Sequence, residues 1–389
     1  MPSKIPDLLH QLDSVIRIPS ISSANPAIDM GNRLVIEHLA EQFEALGFTC
    51  EIMPCGEDTD NLQSNKCNLL ATLGSGPGGL VLAGHTDTVP MDAALWTVDP
   101  LRLTDRHGKL YGLGVTDMKG FFPIVMEAVK PFLDATFKEP LIVLATADEE
   151  TSMQGAHRIV ELGRPRARVA IVGEPTSLQP VRTHKGVMME SIRLRGRSGH
   201  SSNPALGNNA LDAMHAVIAE LLDYRKELKQ RYTSNLFEIP YPTLNLGSIH
   251  GGDNPNRICG HCDLEFDVRL LPGMHIDTIR EEIRKRVQRV TEPLDIQFEL
   301  VPLFAGAPAF LANADSRILQ AAEKMTGHGG ISVGFGSEAP FLQQLGIDTI
   351  VLGPGNIDQA HQPDEYMTAD MIRPCIEILR QLITQNCLQ

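Results

Sequence analysis

Gly79–Pro90, GLVLAGHTDTVP, is the stretch around which the chain is organised. Leu80, Val81, Leu82 and Ala83 form an apolar run bounded by glycines, the pattern of a strand buried on both faces in a parallel sheet. His85, Thr86 and Asp87 follow at once. In open α/β sheets ligands collect just beyond the carboxyl ends of the strands, so an imidazole and a carboxylate there are placed for chemistry. Neutral imidazole is the commonest metal ligand, and it usually gives its second ring N–H to a carboxylate that fixes its orientation. His85 reads as the ligand and Asp87 as that partner. An isolated His-x-Asp is ordinarily a polar turn; the metal reading stands on the other strand ends, which also finish in acids.

Upstream, residues 4–17 place Ile5, Leu8, Leu9, Leu12, Val15 and Ile16 at helical spacing. A second helix runs from about Ala27 to Leu46 and stops at Gly47. Strand-like runs occupy 48–54 and 68–73. Downstream come a helix from Asp117 to about Phe132, strands at 140–147 and 168–173, and a helix near 152–163 between those strands. This alternation is that of an α/β domain. After about residue 182 the pattern becomes strand (187–196), long helix (about 208–230), two strands (TLNLGSIH and CDLEFDVRLL), helix (about 275–290) and strand (LDIQFELVPL). That βαββαβ order is the ferredoxin-like arrangement. The first pattern returns from about 305, with a helix near 314–326, a strand near 348–352 and a C-terminal helix from about 367. The expected architecture is an α/β domain with a mostly parallel sheet, residues 1–182 and 304–389, interrupted by an inserted α+β domain at 183–303.

A chain of 389 residues is long enough for two such domains. Its net charge of −14 argues against nucleic acid or an anionic membrane surface as partner. No apolar run approaches the roughly 18 residues of a membrane span. The N-terminus lacks the basic and apolar segments of a secretory signal, so a cytoplasmic location is expected. The seven cysteines then read as reduced thiols. Cys259 and Cys262 have redox CxxC spacing, but such a motif belongs at a helix N-terminus. Here it opens a strand-like run, in which residues three apart face opposite ways. No GxGxxG follows a strand at the start of a βαβ unit, which sets aside a nicotinamide dehydrogenase.

The remaining strand ends carry the chemistry. Asp117 stands behind a glycine-rich loop in LYGLGVTDMKG; the 140–147 strand runs into Asp148-Glu149-Glu150, and the 168–173 strand into Glu174. His361 follows a further strand and a Gly-Pro-Gly loop in VLGPGNIDQAHQPDEY. Taken singly, these are a helix cap, a helix start, a turn acid and a loop histidine. Taken together, two histidines and three carboxylates, one of them bridging, make the ligand set of a two-metal hydrolytic site. Nitrogen and carboxylate donors without cysteine suit catalytic zinc, with manganese or cobalt as substitutes. Two adjacent glutamates just past a strand end cannot both point at one metal, so one is free for proton transfer.

HTDTVP, GLGVTDMKGF, ATADEET, GEPTS, SGHSS and AHQPDEY together resemble the di-zinc amidohydrolases of the M20 metallopeptidase family, over essentially the whole chain. The resemblance implies two zinc ions per subunit, with cobalt as a substitute. His85 and Glu174 would bind one, Glu150 and His361 the other, and Asp117 would bridge them. Asp87 falls on the partner of the first histidine and Glu149 on the general base. The implied reaction is hydrolysis of the amide of a small N-acyl amino acid by a water acidified between ions about 3.5–4 Å apart. The inserted domain is implied to be a lid and the seat of a homodimer, with His200 of SGHSS reaching the partner's site to hold the oxyanion. Asn256 and Arg269 match positions that hold substrate, and a fork-shaped guanidinium suits a carboxylate; Arg257 is a weaker alternative. Glu338, in FGSEAPF, departs from the family's usual pattern. It can accept a substrate ammonium or simply start a helix. A two-lobed binding protein without turnover would have no reason to keep five ligands and Glu149 together.

Overall fold

Every residue of the Leu80–His85 strand is buried, and the same holds for Leu141–Thr146 and Val169–Val172. Strands apolar along their whole length must be covered on both faces, and parallel pairing with helices above and below achieves that. In the computed structural model, which describes residues 7–56 and 65–389, Leu80–His85 pairs in parallel with Leu141–Thr146 on one side and Val169–Val172 on the other. Asp348–Val351 adds in parallel beside Val169–Val172. Cys67–Leu73 joins the opposite side antiparallel, followed by Thr49–Pro54, and Val351 pairs antiparallel with Val181. The sheet is mixed, with a parallel centre.

The register decides where function can lie. Leu80 faces Leu141 and His85 faces Thr146, while Ala83 faces Val172 and Val172 faces Val351. The segments leaving at residues 86, 147, 173 and 352 therefore emerge along one edge. Main-chain bonds continue the ladder past it, from Thr86 N to Thr146 O (3.0 Å) and from Gly173 N to Ala83 O (2.9 Å).

The chain divides into two units. The first comprises Met1–Arg182, Ala312–Ile331 and Ser337–Gln389; the second comprises Thr183–Leu311 and Ser332–Gly336. In the first, Arg33–Ala45 lies over Thr49–Pro54 and Cys67–Leu73, and Phe121–Val129 packs against Ile372–Ile383. In the second, Thr243–Gly251, His261–Leu270, Gly186–Arg195 and Gln297–Pro302 form an antiparallel sheet in that order. Helices Ala210–Arg231 and Ile276–Thr291 bury Met214, Val217, Leu221, Ile279 and Ile283 against Ile192, Leu264 and Phe266. Numbered within this unit the strand order is 2-3-1-4, the ferredoxin-like topology. An α/β domain with a mostly parallel sheet and an inserted α+β domain are thus both present.

Three elements differ from expectation. The second helix begins at Arg33 rather than Ala27. Residues 25–29 are a turn closed on Asn25 O, and the Asn32 side chain is committed to the sheet, donating to Cys67 O and Thr86 Oγ1 at 2.8 Å each. The helix expected from Asp117 begins at Phe121; the residues before it form a loop closed by Gly120 N to Gly114 O (3.0 Å), with the N–H groups of Thr116 and Asp117 bonded to Glu365. The last helix begins at Ile372, since Tyr366–Thr368 pairs with Lys109–Tyr111 in a small separate sheet. Ile5 of the opening helix lies outside the described residues; Leu8–Ile16 is helical, with the Asp7 carboxylate accepting from His10 N at 2.9 Å.

Candidate metal centre

His85, the last residue of its strand, has Nδ1 3.0 Å from the Asp87 main-chain oxygen, the contact that holds the ring and leaves Nε2 facing inward. Nε2 lies 3.1 Å from Asp117 Oδ1 and 4.0 Å from Glu174 Oε2. The other Asp117 oxygen, Oδ2, is 3.3 Å from His361 Nε2, which is 3.0 Å from Glu150 Oε1. Two donor groups result, His85–Asp117–Glu174 and Asp117–Glu150–His361, each with its ligand atoms within 4.8 Å of one another. Asp117 belongs to both, turning one oxygen to each histidine. Glu149 belongs to neither.

Asp87 does more than face His85. Its Oδ1 is 3.6 Å from His85 Nδ1, while its two oxygens accept the main-chain N–H of Glu149 (3.2 Å) and Glu150 (3.0 Å). One buried carboxylate thus ties the first histidine to the turn that carries both glutamates.

The electrostatics follow from burial. Asp87, Asp117 and Glu174 are buried, and Glu149 and Glu150 half-buried. Burial, joined by Glu174, Glu150 and Asp87, pushes the Glu149 carboxyl well above its ordinary range although His85 opposes it. Glu174 is raised in the same way by burial and by Asp117. Burial would also raise Asp117, but the histidines on its two oxygens hold it well below the usual carboxylate range. His361 is lifted to about 10 by its bonds to Asp117 and Glu150. Asp117, Glu149, Glu150 and Glu174 stand against two imidazoles, an excess of buried negative charge that divalent cations would offset. Imidazole nitrogens and carboxylate oxygens are also the donors such ions take in hydrolytic sites. The residues fit a pair of metal ions.

A family model for peptidase family M20/M25/M40 matches residues 81–385. The chain belongs to the M20 family. It is 45% identical over 384 residues to the acetylornithine deacetylase of Pasteurella multocida strain Pm70, covering 99% of both chains. It is also 45% identical over 387 residues to that of Klebsiella pneumoniae strain 342, covering 100% of both. Among solved structures, an M20 metallo-carboxypeptidase from Sulfolobus solfataricus superposes with a TM-score of 0.74 at 19% identity, over 97% of this chain and 98% of that one. A dinuclear metal-binding M20 peptidase from Bacillus subtilis gives 0.65 at 13%, over 96% of each. The protein is an M20 metallohydrolase and a homologue of acetylornithine deacetylases, and its two donor groups are candidates for the family's dinuclear site.

Glu338 of this M20 chain is 1% exposed, on the residue before helix Ala339–Gln344. It does not cap that helix; Oε1 meets the Thr146 hydroxyl, and Oε2 is buried without a partner. Burial, with Asp87 nearby, pushes it up to about 8.

The other singled-out residues belong to the second unit. His200 lies in an exposed turn where its Nδ1 accepts from Ser202 N at 3.2 Å. It forms a β-bridge with Arg257, and Ser201 N donates to Asn256 O at 3.1 Å, so these loops lie side by side. Arg257 is paired with Asp253 (2.7 Å). Arg269 donates from Nε to Asp267 Oδ1 (3.1 Å) and lines a cavity of about 310 Å³ with Lys185, Phe237 and Thr243. Cys259 and Cys262 are both free and buried, and burial raises the Cys262 thiol to about 11, opposite to a redox cysteine.

Lys66, in the first unit, carries no motif signal. Lys66 pairs with Asp148 and, at 3.0 Å, with Asp29. Asp148, at φ +64, takes a second bond from Ser22 Oγ (2.7 Å) and so pins the strained turn leading into Glu149. Glu365 sits in the closing motif, but nothing local marks it as a partner of the Asp117 loop.

Proposed function

We propose that this M20 hydrolase cleaves the amide of N2-acetyl-L-ornithine to L-ornithine and acetate, as a cytoplasmic enzyme of arginine biosynthesis. The observation that carries the reading is the pair of donor groups sharing Asp117 with Glu149 left outside both, in a chain 45% identical along its length to acetylornithine deacetylases. His85 and Glu174 would hold one zinc, Glu150 and His361 the other, and Asp117 both; cobalt would serve in place of zinc. When bound, the ions acidify water and polarise the acyl carbonyl.

The remaining steps belong to the chain. Asp87 sets His85 by one contact and the Glu149–Glu150 turn by two. Glu149 takes the proton of the attacking water and returns it to the amine that leaves. His200 would donate to the oxyanion, supplied across a homodimer formed through the inserted domain acting as lid. Arg269 and Asn256 would hold the substrate carboxylate.

The test is purified protein with zinc or cobalt, offered N-acetyl-L-ornithine, N-succinyl-diaminopimelate and N-acetyl-L-methionine. The highest kcat/KM should fall on the first. Preference for the succinyl substrate would make the protein a succinyl-diaminopimelate desuccinylase, and equal rates a broad N-acyl-amino-acid amidohydrolase. Full activity after rigorous metal removal would end the metal reading.

A further inference from the structure

The glycine-rich loop that carries Asp117 turns its main-chain N–H groups inward onto a carboxylate from the far end of the sequence. Glu365 is 2% exposed. Its Oε2 accepts from Gly114 N at 2.9 Å, and its Oε1 from Thr116 N at 2.8 Å and Asp117 N at 3.0 Å. Two further bonds close the contact, Gly112 N to Glu365 O (3.1 Å) and Thr116 Oγ1 to Tyr366 O (2.7 Å). Main-chain N–H groups converging on one anion form a nest, the device with which glycine loops cradle phosphate. Gly114 makes the curl possible at φ +77; a Cβ there would be strained and would stand 2.8 Å from the Thr88 methyl. Here the chain supplies the acceptor itself, a carboxyl that burial pushes up to about 8 against the pull of the three N–H bonds.

We propose that Glu365 is a positioning residue of the metal centre: its carboxyl group is the internal acceptor on which the Gly112–Asp117 loop is wound, so that one clamp sets both Asp117 and His361. Asp117 must present one oxygen toward His85 and the other toward His361, 3.1 and 3.3 Å away. That demands a fixed main chain at Asp117, and Glu365 grips its N–H directly. His361 lies four residues before Glu365 on the same segment, so the grip that fixes the loop also fixes the strand of chain bearing the second imidazole. The inference rests on the reading that Asp117 and His361 hold metal.

The experiment compares cobalt binding by wild type, Glu365→Ala and Glu365→Gln, followed by calorimetry and by the visible cobalt spectrum, with circular dichroism to establish folding. Loss of a group that orients metal ligands typically weakens binding about 10–100-fold, and that is expected for Glu365→Ala. Glu365→Gln keeps an acceptor for Thr116 and Asp117 but turns an N–H toward Gly114, so its loss should be smaller. Formate, which refills the nest with a carboxylate, should restore affinity and spectrum to Glu365→Ala; formamide, of the same shape with one acceptor oxygen fewer, should not. Wild-type affinity in both variants, or equal rescue by formamide, overturns the proposal. Should Glu365→Ala fail to fold, Glu365→Gln decides alone, by weakened or unchanged cobalt affinity. If wild type binds no metal, the parent reading has failed. The clamp is then judged by amide exchange at Gly114, Thr116 and Asp117, where unaltered protection in the variants would sink it.

Discussion

In the first unit Leu80–His85, Leu141–Thr146 and Val169–Val172 are buried along their whole length, and the ligand candidates lie just past their carboxyl ends or in the loops beside them. In the second, His261–Leu270 alternates between buried and more exposed positions, and its unit's ion pairs range from exposed Lys226–Asp223 to buried Arg280–Glu190. Arg286, for example, reaches Glu220 at 2.8 Å and also Glu227 across two helices. The difference teaches where a fold can hold perturbed groups. A sheet covered on both faces confines polar chemistry to its edge, where water is scarce and carboxylates crowd. A one-faced sheet leaves most of its charges partly solvated and paired, and perturbs the few it buries, as burial raises Glu190. The same residue types therefore do different work in the two units.

The largest expected effect tests the division of labour at the covered edge. Glu149→Gln should lose roughly 10²–10⁴-fold in kcat while keeping both metal ions, the scale for removing a general acid–base. Glu150→Gln should weaken or lose one ion as well. Metal analysis of the two variants checks the assignment, and the reverse pattern would exchange their roles.

The next effect asks whether the solvated unit contributes chemistry at all. Glu149→Ala and His200→Ala proteins should each be nearly inactive, yet regain activity when co-refolded, because a mixed dimer pairs the intact Glu149 of one chain with the intact His200 of the other. Random pairing makes about half the dimers mixed with one complete site each, so roughly a quarter of wild-type activity is the ceiling. A mixture as inactive as its parents, with subunit exchange demonstrated, would leave His200 no role across the interface.

Two buried groups, one in each unit, give stability opposite dependences on pH. Glu338 is pushed from 4.5 to about 8, so the folded metal-free protein holds a proton that the unfolded chain has released, and stability falls as pH rises between those values. His184, buried in the second unit, is lowered from 6.5 to about 4, so the unfolded chain binds the extra proton and stability falls as pH drops through that range. Each shift is worth on the order of 3–5 kcal/mol. Glu338→Gln should remove one proton from the alkaline slope and His184→Gln one from the acid slope, as read from urea midpoints across pH. Unchanged slopes would place the pH dependence elsewhere.

The smallest effect belongs to the solvated face. Glu227→Gln removes one carboxylate from Arg286, which keeps Glu220, and should cost less than about 1 kcal/mol. A loss several times larger in urea unfolding would mean that these helices behave like the covered edge.

Much of the fold was legible because hydrophobic periodicity is local. Continuous apolar runs announced the covered strands, alternation announced the one-faced sheet, and the βαββαβ order followed from their sequence. What could not be read was where polar groups interrupt a helix pattern. The helix begins at Phe121 and not at Asp117, after a loop whose Asp117 N–H bonds Glu365, 248 residues away in sequence. The helix begins at Arg33 because Asn32 is bonded to the sheet at Cys67 and Thr86. Lys66, reaching Asp148 across 82 residues, has no motif at all.

By itself, then, the sequence determined the types of strand, the presence of an inserted α+β unit and the supply of metal-competent side chains at strand ends, since each depends on neighbours a few residues apart. Only the tertiary structure decided that Asp117 faces two histidines at once, that Asp87 joins His85 to the Glu149–Glu150 turn, and that the glycine-rich loop closes on Glu365. Parallel register and hydrogen bonds between segments 32 to 251 residues apart created these arrangements, and no local pattern encodes which distant carboxylate a given N–H will meet.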